Sequence, residues 1–424
     1  MNGSTEWSEA PRSSEGRLEW QRDDVSMIIS WPNGRERKMA RAFWLLLSTV
    51  LLSCSGSEGE PALGSNQTQA VQSVEIDFSY PNNWRAPEAT NQAYKMQSGN
   101  VPCPLSSDPN YSYVDPIPVI RNLAKKHSVV MINESHSIAL HRVFIGELYE
   151  DLNKQGYQNF GSELLGDIEW AWLNEPDGFK SNGFPSDLKT GLAYWQDPVF
   201  GQVMERVSRL PGNLFSFEDN ALSPPVGAQG SVDHREFTQA KNIKEYVDEF
   251  AGQKFFIHSG YHHIKERNEG SNIIWMAEYF KRLTSIDPLT ISQTDCYGTS
   301  PFESGLLGYG LLVDKKGMPV SRNGYDLILS APRGPYYKER PIWLRDELGR
   351  RFVEVPKTIR FDGASDFTLI TAWDVNKPAM IPAEDIIYRA PQSNKVLALR
   401  PGKYSVVAED RDKMVLGNVL IEVD

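Results

Sequence analysis

Two short stretches carry the residues best suited to chemistry. In the first, the apolar run 128–132 leads into Asn133-Glu134-Ser135-His136, with Arg142 a turn or two into the stretch that follows. In the second, Phe255-Phe256-Ile257 leads into His258-Ser259-Gly260-Tyr261-His262-His263, so these two stretches hold four of the seven histidines. A carboxylate beside an imidazole orients the ring and raises its basicity, which is what a general base needs near neutral pH. Gly260 lets the backbone approach a ligand closely. Imidazoles and carboxylates also suit a zinc, manganese, cobalt or iron ion, with Glu134, His136 and His263 as the ligands to consider. Neither HExxH nor a Cys/His finger spacing is present. The plain alternative is that His136 caps a helix, Glu134 pairs with Arg142 on the surface and His262 points into solvent, because perturbed carboxylate and imidazole pairs are also structural.

The surrounding pattern says how such residues are held. From about 115 to 294, apolar runs at 128–132, 157–162, 214–217, 254–257 and 289–292 alternate with helical stretches at 138–155, 197–210, 235–250 and 272–283. Strict alternation of this kind means parallel strands with crossover helices. The expected fold class is therefore α/β, a mainly parallel central sheet with flanking helices. In such a sheet ligands bind just outside the carboxyl ends of the strands. That rule gathers Glu134, His136, Glu163, Glu218, His258 and His263 around one crevice. Arg235, Glu236, Gln239 and Asn242 recur at helical spacing and share a face. Arg142, Glu218, Arg235 and Gln239 are the candidate substrate-binding residues, with a solvated face of ordinary ion pairs as the alternative. Trp170, Trp172 and Trp195 form either an aromatic wall over the crevice or a local apolar cluster.

After about Gly317 the texture changes to recurrent Pro and Gly with strand-like runs at 368–373, 395–399, 404–408 and 415–423. A smaller, sandwich-like all-β domain over 317–424 is expected, after an α/β domain over 74–316. The alternative is that these strands extend the first sheet, which 306–313 could continue. At the other end, 39–53 reads as a signal segment, basic and then apolar over a length short of a membrane span. Leu51-Leu52-Ser53-Cys54 resembles a bacterial lipobox in which Cys54 is lipidated, the alternative being a short membrane anchor. Residues 1–38 are polar and have no apolar period, so translation from Met39 is expected, and 54–73 is a flexible tether. Of three cysteines, Cys103 and Cys296 then remain in the body, and an oxidising compartment would permit them to pair. The net charge of −11 offers no basic stripe for a phosphate backbone, which argues against nucleic acid as a partner.

Taken together, Glu134-x-His136 before a helix with Arg142, Glu163 after the strand that follows Gly156, Glu218 at a later strand end and Gly260-x-x-His263 resemble the erythromycin esterase-like proteins. That group is similar to haem-binding periplasmic lipoproteins and to the TraB/Tiki metalloproteases. The resemblance spans roughly 119–294, and bacterial lipoproteins of the group look similar at Arg235-Glu236, 239–243 and 287–294. It implies His136 as general base, Glu134 as the carboxylate beside it, Glu163 as the holder of the attacking water and His263 as the second histidine, a metal ligand in the protease relatives. One departure is that Asn133 stands where the group usually has glycine. The expected activity is a periplasm- or surface-facing lipoprotein hydrolase acting on an ester, lactone or amide of a small extracellular molecule. Its anchor would be a lipid on Cys54 in the outer membrane. The alternatives are a metal-dependent peptidase using the same residues, or a non-enzymatic lipoprotein that binds haem or iron.

Overall fold

The computed structural model describes residues 108–136, 138–165, 197–218, 232–267, 273–299, 306–332, 334–359, 368–377, 383–389, 393–410 and 414–424. The expectations for the signal segment, the tether, Cys54, Cys103 and the three tryptophans at 170, 172 and 195 lie outside these residues.

The parallel strands run as expected. They are β2 (Val129–Glu134), β3 (Tyr157–Ser162), β4 (Asn213–Phe215), β5 (Lys254–Gly260) and β6 (Leu289–Thr299), with α2 (Ala139–Asn153), α3 (Pro198–Arg209), α4 (Val232–Glu249) and α5 (Met276–Thr284) between them. Three further strands complete the sheet: β1 (Tyr111–Val114), β7 (Gly310–Asp314) and β8 (Leu327–Pro332), with α1 (Pro116–Ala124) following β1. The order across the eight strands is β1-β7-β8-β6-β2-β5-β3-β4. All pairs from β4 to β8 are parallel, and β7 and β1 close one edge antiparallel. β8 comes from beyond Gly317, so a cut between 316 and 317 would remove a strand from this sheet.

Why the strands read as unbroken apolar runs is visible in the two cores. Val130, Ile132, Phe160 and Phe256 point to one face and pack with Ile120, Phe144, Leu148 and Met204 from α1, α2 and α3. Val129, Met131, Phe255 and Ile257 point to the other and pack with Ala240, Ile243, Met276 and Phe280 from α4 and α5. A parallel sheet covered on both faces needs apolar residues at every position rather than at alternate ones. Where the run breaks into polar residues, at Asn133-Glu134 and at His258-Ser259, the strands still continue, and the polar groups are buried between the two layers.

The remaining strands form a separate β-region, consistent with an α/β domain followed by a smaller β domain. Four antiparallel strands lie in the order β13 (Asp385–Arg389), β12 (Thr368–Asp374), β15 (Gly402–Glu409) and β16 (Val415–Val423). Two two-stranded pieces accompany them, β9 (Tyr336–Tyr337) with β10 (Arg340–Pro341) and β11 (Arg351–Val353) with β14 (Leu397–Leu399). Their core is Ile370, Ile387, Leu397, Leu399, Tyr404 and Val406. Cys296 on β6 is buried and disulfide-bonded, and its partner lies outside the described residues. Among the described residues no helix is long and apolar enough to cross a membrane.

Candidate active site

Glu134 is the last residue of β2, wholly buried, and nitrogens surround it. Arg142, from the first turn of α2, donates Nε to Oε2 at 2.9 Å and Nη2 to Oε1 at 3.1 Å. His136 Nδ1 lies 2.8 Å from Oε1. His258 Nε2 comes within 3.1 Å of Oε2 but is not aligned for a hydrogen bond. Burial alone would push this carboxyl up. The Arg142 charge, then His258 and the hydrogen bond from His136, reverse that and hold it well below the ordinary range. A carboxylate fixed as an anion this way keeps a proton on His136 Nδ1 and turns Nε2 outward as the basic edge.

That edge faces Glu163, which opens the turn after β3. His136 Nε2 is 3.4 Å from Glu163 Oε1, and His263 Nε2 is 3.6 Å from Oε2. Ser259 donates to Oε2 at 2.7 Å. Burial works to raise the Glu163 carboxyl, and His263, His136, Arg235 and Ser259 together bring it below its usual value. His263 is backed by Glu236 on α4, whose oxygens lie 2.6 and 2.8 Å from Nδ1, and Glu236 also accepts the Met276 backbone N–H at the start of α5 at 2.9 Å. Burial depresses the His263 imidazole, but Glu163 and Glu236 outweigh it and raise it overall. The five side chains therefore alternate in the order Glu134, His136, Glu163, His263, Glu236.

Close packing fixes this row. A Cβ on Gly260 would stand 2.4 Å from His136 Cε1, 2.6 Å from its Nε2 and 2.8 Å from Glu163 Oε1, so glycine is required by the approach of His136 rather than by its backbone angle. Tyr261, next along, has a positive φ of 39° and sets its ring edge-on to His136 at 4.9 Å. Its N–H donates to the Glu134 carbonyl at 2.8 Å, which ties the ends of β5 and β2 together.

The sequence-derived set converges in large part. Glu134, His136, Glu163 and His263 come together in one row. Arg235 reaches the site's open side: it donates to Glu218 at 2.9 and 2.5 Å, lies 3.0 Å from His263 Nε2 and 3.9 Å from Glu163, and is 43% exposed. Gln239 donates to Glu218 at 3.0 Å and is buried behind it. Arg142 is 1% exposed and lies beneath Glu134, so its guanidinium faces the core rather than the crevice. Glu134 pairs with it as the plain alternative had it, but in the interior. Asn133 sits in β2 with φ outside the left-handed region, so no special turn is needed there. Its side chain ties β2 to the end of β5 and the middle of β6 by donating to the Tyr261 carbonyl at 2.5 Å and to Thr294 at 2.8 Å and accepting from Gln293 N–H at 2.7 Å. His141 was missed as a site neighbour. It is wholly buried, accepts the Ser135 N–H at 3.0 Å, and burial drives its imidazole down to about 3. The signal for Asp197, which accepts from Arg142 while capping α3, was its place before Pro198.

As a metal site, Glu134, His136 and His263 do not fit. Glu134 lies on the Nδ1 side of His136 and is saturated by Arg142, while His263 lies beyond Glu163 on the Nε2 side. Among the described residues no group of three such side chains is arranged to hold an ion.

No protein-family model matches the chain, and no curated protein sequence does. Solved structures give distant likenesses. The type III effector HopBA1 is 12% identical with a TM-score of 0.33, covering 54% of this chain and all of that one. ChaN of Campylobacter jejuni, solved with cofacial haem, is 12% identical with a TM-score of 0.32, covering 51% of this chain and 91% of that one. A structure described as bacterial protein toxins is 16% identical with a TM-score of 0.29, covering 41% and 36%. Likeness at this level leaves function to be read from the site's own chemistry.

Proposed function

We propose that the protein is a hydrolase that activates water for attack on an ester, lactone or amide of a small molecule. The observation that carries this is the placing of Glu163 between two imidazole edges, one 3.4 Å from Oε1 and the other 3.6 Å from Oε2. With His136 neutral, Nε2 and Glu163 Oε1 are both acceptors, and a water molecule donating one O–H to each bridges them. As its oxygen bonds to the carbonyl carbon, its proton passes to His136 Nε2. The carbonyl oxygen becomes an oxyanion, which the Arg235 guanidinium can meet from the open side of the site, where it donates to His263 Nε2 at 3.0 Å. Collapse then breaks the bond to the leaving oxygen or nitrogen, which takes the proton back from His136. Glu134, anionic throughout, stabilises the imidazolium in between.

The test is hydrolysis of a panel of chromogenic esters, lactones and amides by the parent, His136→Gln and His263→Gln. The expected loss in kcat is about 100-fold or more for His136→Gln, with a smaller loss for His263→Gln. No turnover by the parent across the panel, or equal turnover by His136→Gln, overturns the reading. Inactivation by chelator alone would favour the peptidase reading instead. A haem-binding reading has one observation in its favour: Tyr261 and His262, side by side on the turn after β5, are exposed and carry donor atoms that suit a haem iron. It predicts a Soret band on haem addition that Tyr261→Phe or His262→Ala diminishes and His136→Gln does not. Anchoring to the outer membrane through a lipid on Cys54 is proposed on the sequence of 39–54 alone.

A further inference from the structure

The carboxylate of Asp197 takes no part in the reaction drawn above, yet it stands directly behind it. It is 1% exposed. Oδ1 accepts the Val199 N–H at 3.0 Å and caps α3, while Oδ2 accepts from Arg142 Nη1. Arg142 spends its other nitrogens on Glu134 and on the His136 carbonyl, at 3.0 Å for the latter. One guanidinium thus lies between two buried carboxylates, and its plane is fixed by both. Further along α3, Gln202 and Glu205 meet the C-terminal β-region. Arg350 donates to Gln202 Oε1 at 3.2 and 2.7 Å and to the carbonyls of Glu384 and Ala398 at 2.7 and 3.1 Å. Arg400, held on Glu384 at 2.7 Å, comes within 3.4 Å of Glu205, and Lys377 within 3.7 Å.

We propose that Asp197 is a positioning residue for the Glu134–His136 pair, and that the C-terminal β-region keeps it in place by gripping α3. The chain of contacts runs from Arg350 and Arg400 through α3 to Asp197, Arg142, Glu134 and finally His136 Nδ1. This gives the β-region a part in the chemistry without any residue of its own at the crevice. Only the kinetic part of the test rests on the hydrolytic reading.

The test uses the full chain labelled with nitrogen-15 histidine. Asp197→Asn retains the helix cap, since Asn caps as well as Asp, and removes the charged acceptor of Arg142. Gln202→Ala acts only at the β-region's end of α3. In Asp197→Asn the His136 Nδ1–H resonance is expected to shift or broaden while that of His263 stays, and kcat on the active substrate falls by about tenfold at unchanged KM. Gln202→Ala is expected to move the same resonance in the same direction by less. A folded Asp197→Asn protein with the parent's His136 resonance overturns the positioning role, and an unmoved resonance in Gln202→Ala overturns the link to the β-region. Should Asp197→Asn fail to fold, Asp197→Ser, which keeps a capping oxygen, replaces it with the same criterion. If the parent hydrolyses nothing, the hydrolytic reading falls and the resonances still decide this one.

Discussion

The site contains the same pair twice, built from different materials. In both Glu134–His136 and Glu236–His263 a wholly buried carboxylate engages Nδ1 and leaves Nε2 facing Glu163. Glu134 is answered by a permanent cation, because Arg142 pairs with both its oxygens. Glu236 is answered by its own imidazole and by one backbone N–H at the head of a helix, where the partial positive charge is weak by comparison. A guanidinium cannot give up its proton, so Glu134 stays an anion and holds His136 in one tautomer. An imidazole can, so the second pair titrates. One base of fixed tautomer and one partner that changes charge is what a reaction with a developing oxyanion calls for.

Removing each carboxylate measures this difference most directly. Glu134→Gln leaves a buried guanidinium facing one acceptor fewer, and breaking a buried ion pair costs roughly 3–5 kcal/mol. Glu236→Gln leaves an imidazole that can become neutral, so the loss should be that of an ordinary buried hydrogen bond, about 1–3 kcal/mol. Urea denaturation at neutral pH checks both, and equal losses would mean that the two pairs are equivalent after all.

The atoms nearest a Cβ added at Gly260 belong to His136 and Glu163, so Gly260→Ala should sharpen the contrast. The added methyl has His136 and Glu163 inside contact distance and must displace one of them. A displacement near 1 Å in a reacting group costs about 100-fold in rate, while overpacking costs about 1–3 kcal/mol. Activity should therefore collapse in a protein that still melts cooperatively. Activity within about twofold of the parent would show that the His136–Glu163 separation is not critical.

The features that build the site differ in how visible they are in the sequence. The strand and helix alternation was legible because parallel strands covered on both faces must be apolar throughout, and the strand-end rule then gathered Glu134, His136, Glu163 and His263. What failed to show was depth. Nothing in the spacing of Glu134 and Arg142 says whether that pair faces water or the core, since α2 begins at a strand end and its first turn is buried by elements distant in sequence. The apolar run stops before Asn133, which stands where the resembling group usually has glycine, whereas β2 continues through it as a polar junction. β8 was hidden for the same reason as Arg142, because its partner β6 lies across a crossover that local pattern does not reveal. The contacts from Arg350 to Gln202 and from Arg400 to Glu205 join positions 148 and 195 residues apart, which no periodicity encodes.

Titration separates the pairs more gently. The Glu163 carboxyl is held below its ordinary value, so it adds stability above about pH 4.3 that is lost as pH falls through the lowered value. His263 is raised, so it adds stability below about pH 6.5 that is lost as pH rises through the raised value. His141 works the other way: it stays neutral in the fold down to about 3, so its burial costs stability as pH drops below about 6.5. Those two imidazoles oppose each other in the parent, and the difference between parent and variant isolates the first. In Glu236→Gln one of the two carboxylates that raise His263 is gone while Glu163 remains, so the stability gap from the parent should be widest near pH 5 and narrow towards pH 8. Melting temperatures across that range check it, and a gap independent of pH would show that Glu236 does not set the charge of His263.

The smallest effect belongs to His262, the neighbour that resembles the others only in type. The residue is exposed at the surface while its ring is partly covered by Trp275 at 5.3 Å, and that partial burial, with Lys265 and His263 nearby, lowers its imidazole, so it is mostly neutral at pH 7. His262→Ala should cost less than about 0.5 kcal/mol and change kcat by less than about twofold. A loss in kcat comparable to that of His263→Gln would mean that the row continues outward past His263, and that the rim of the crevice, rather than the two buried pairs, delivers protons to the leaving group.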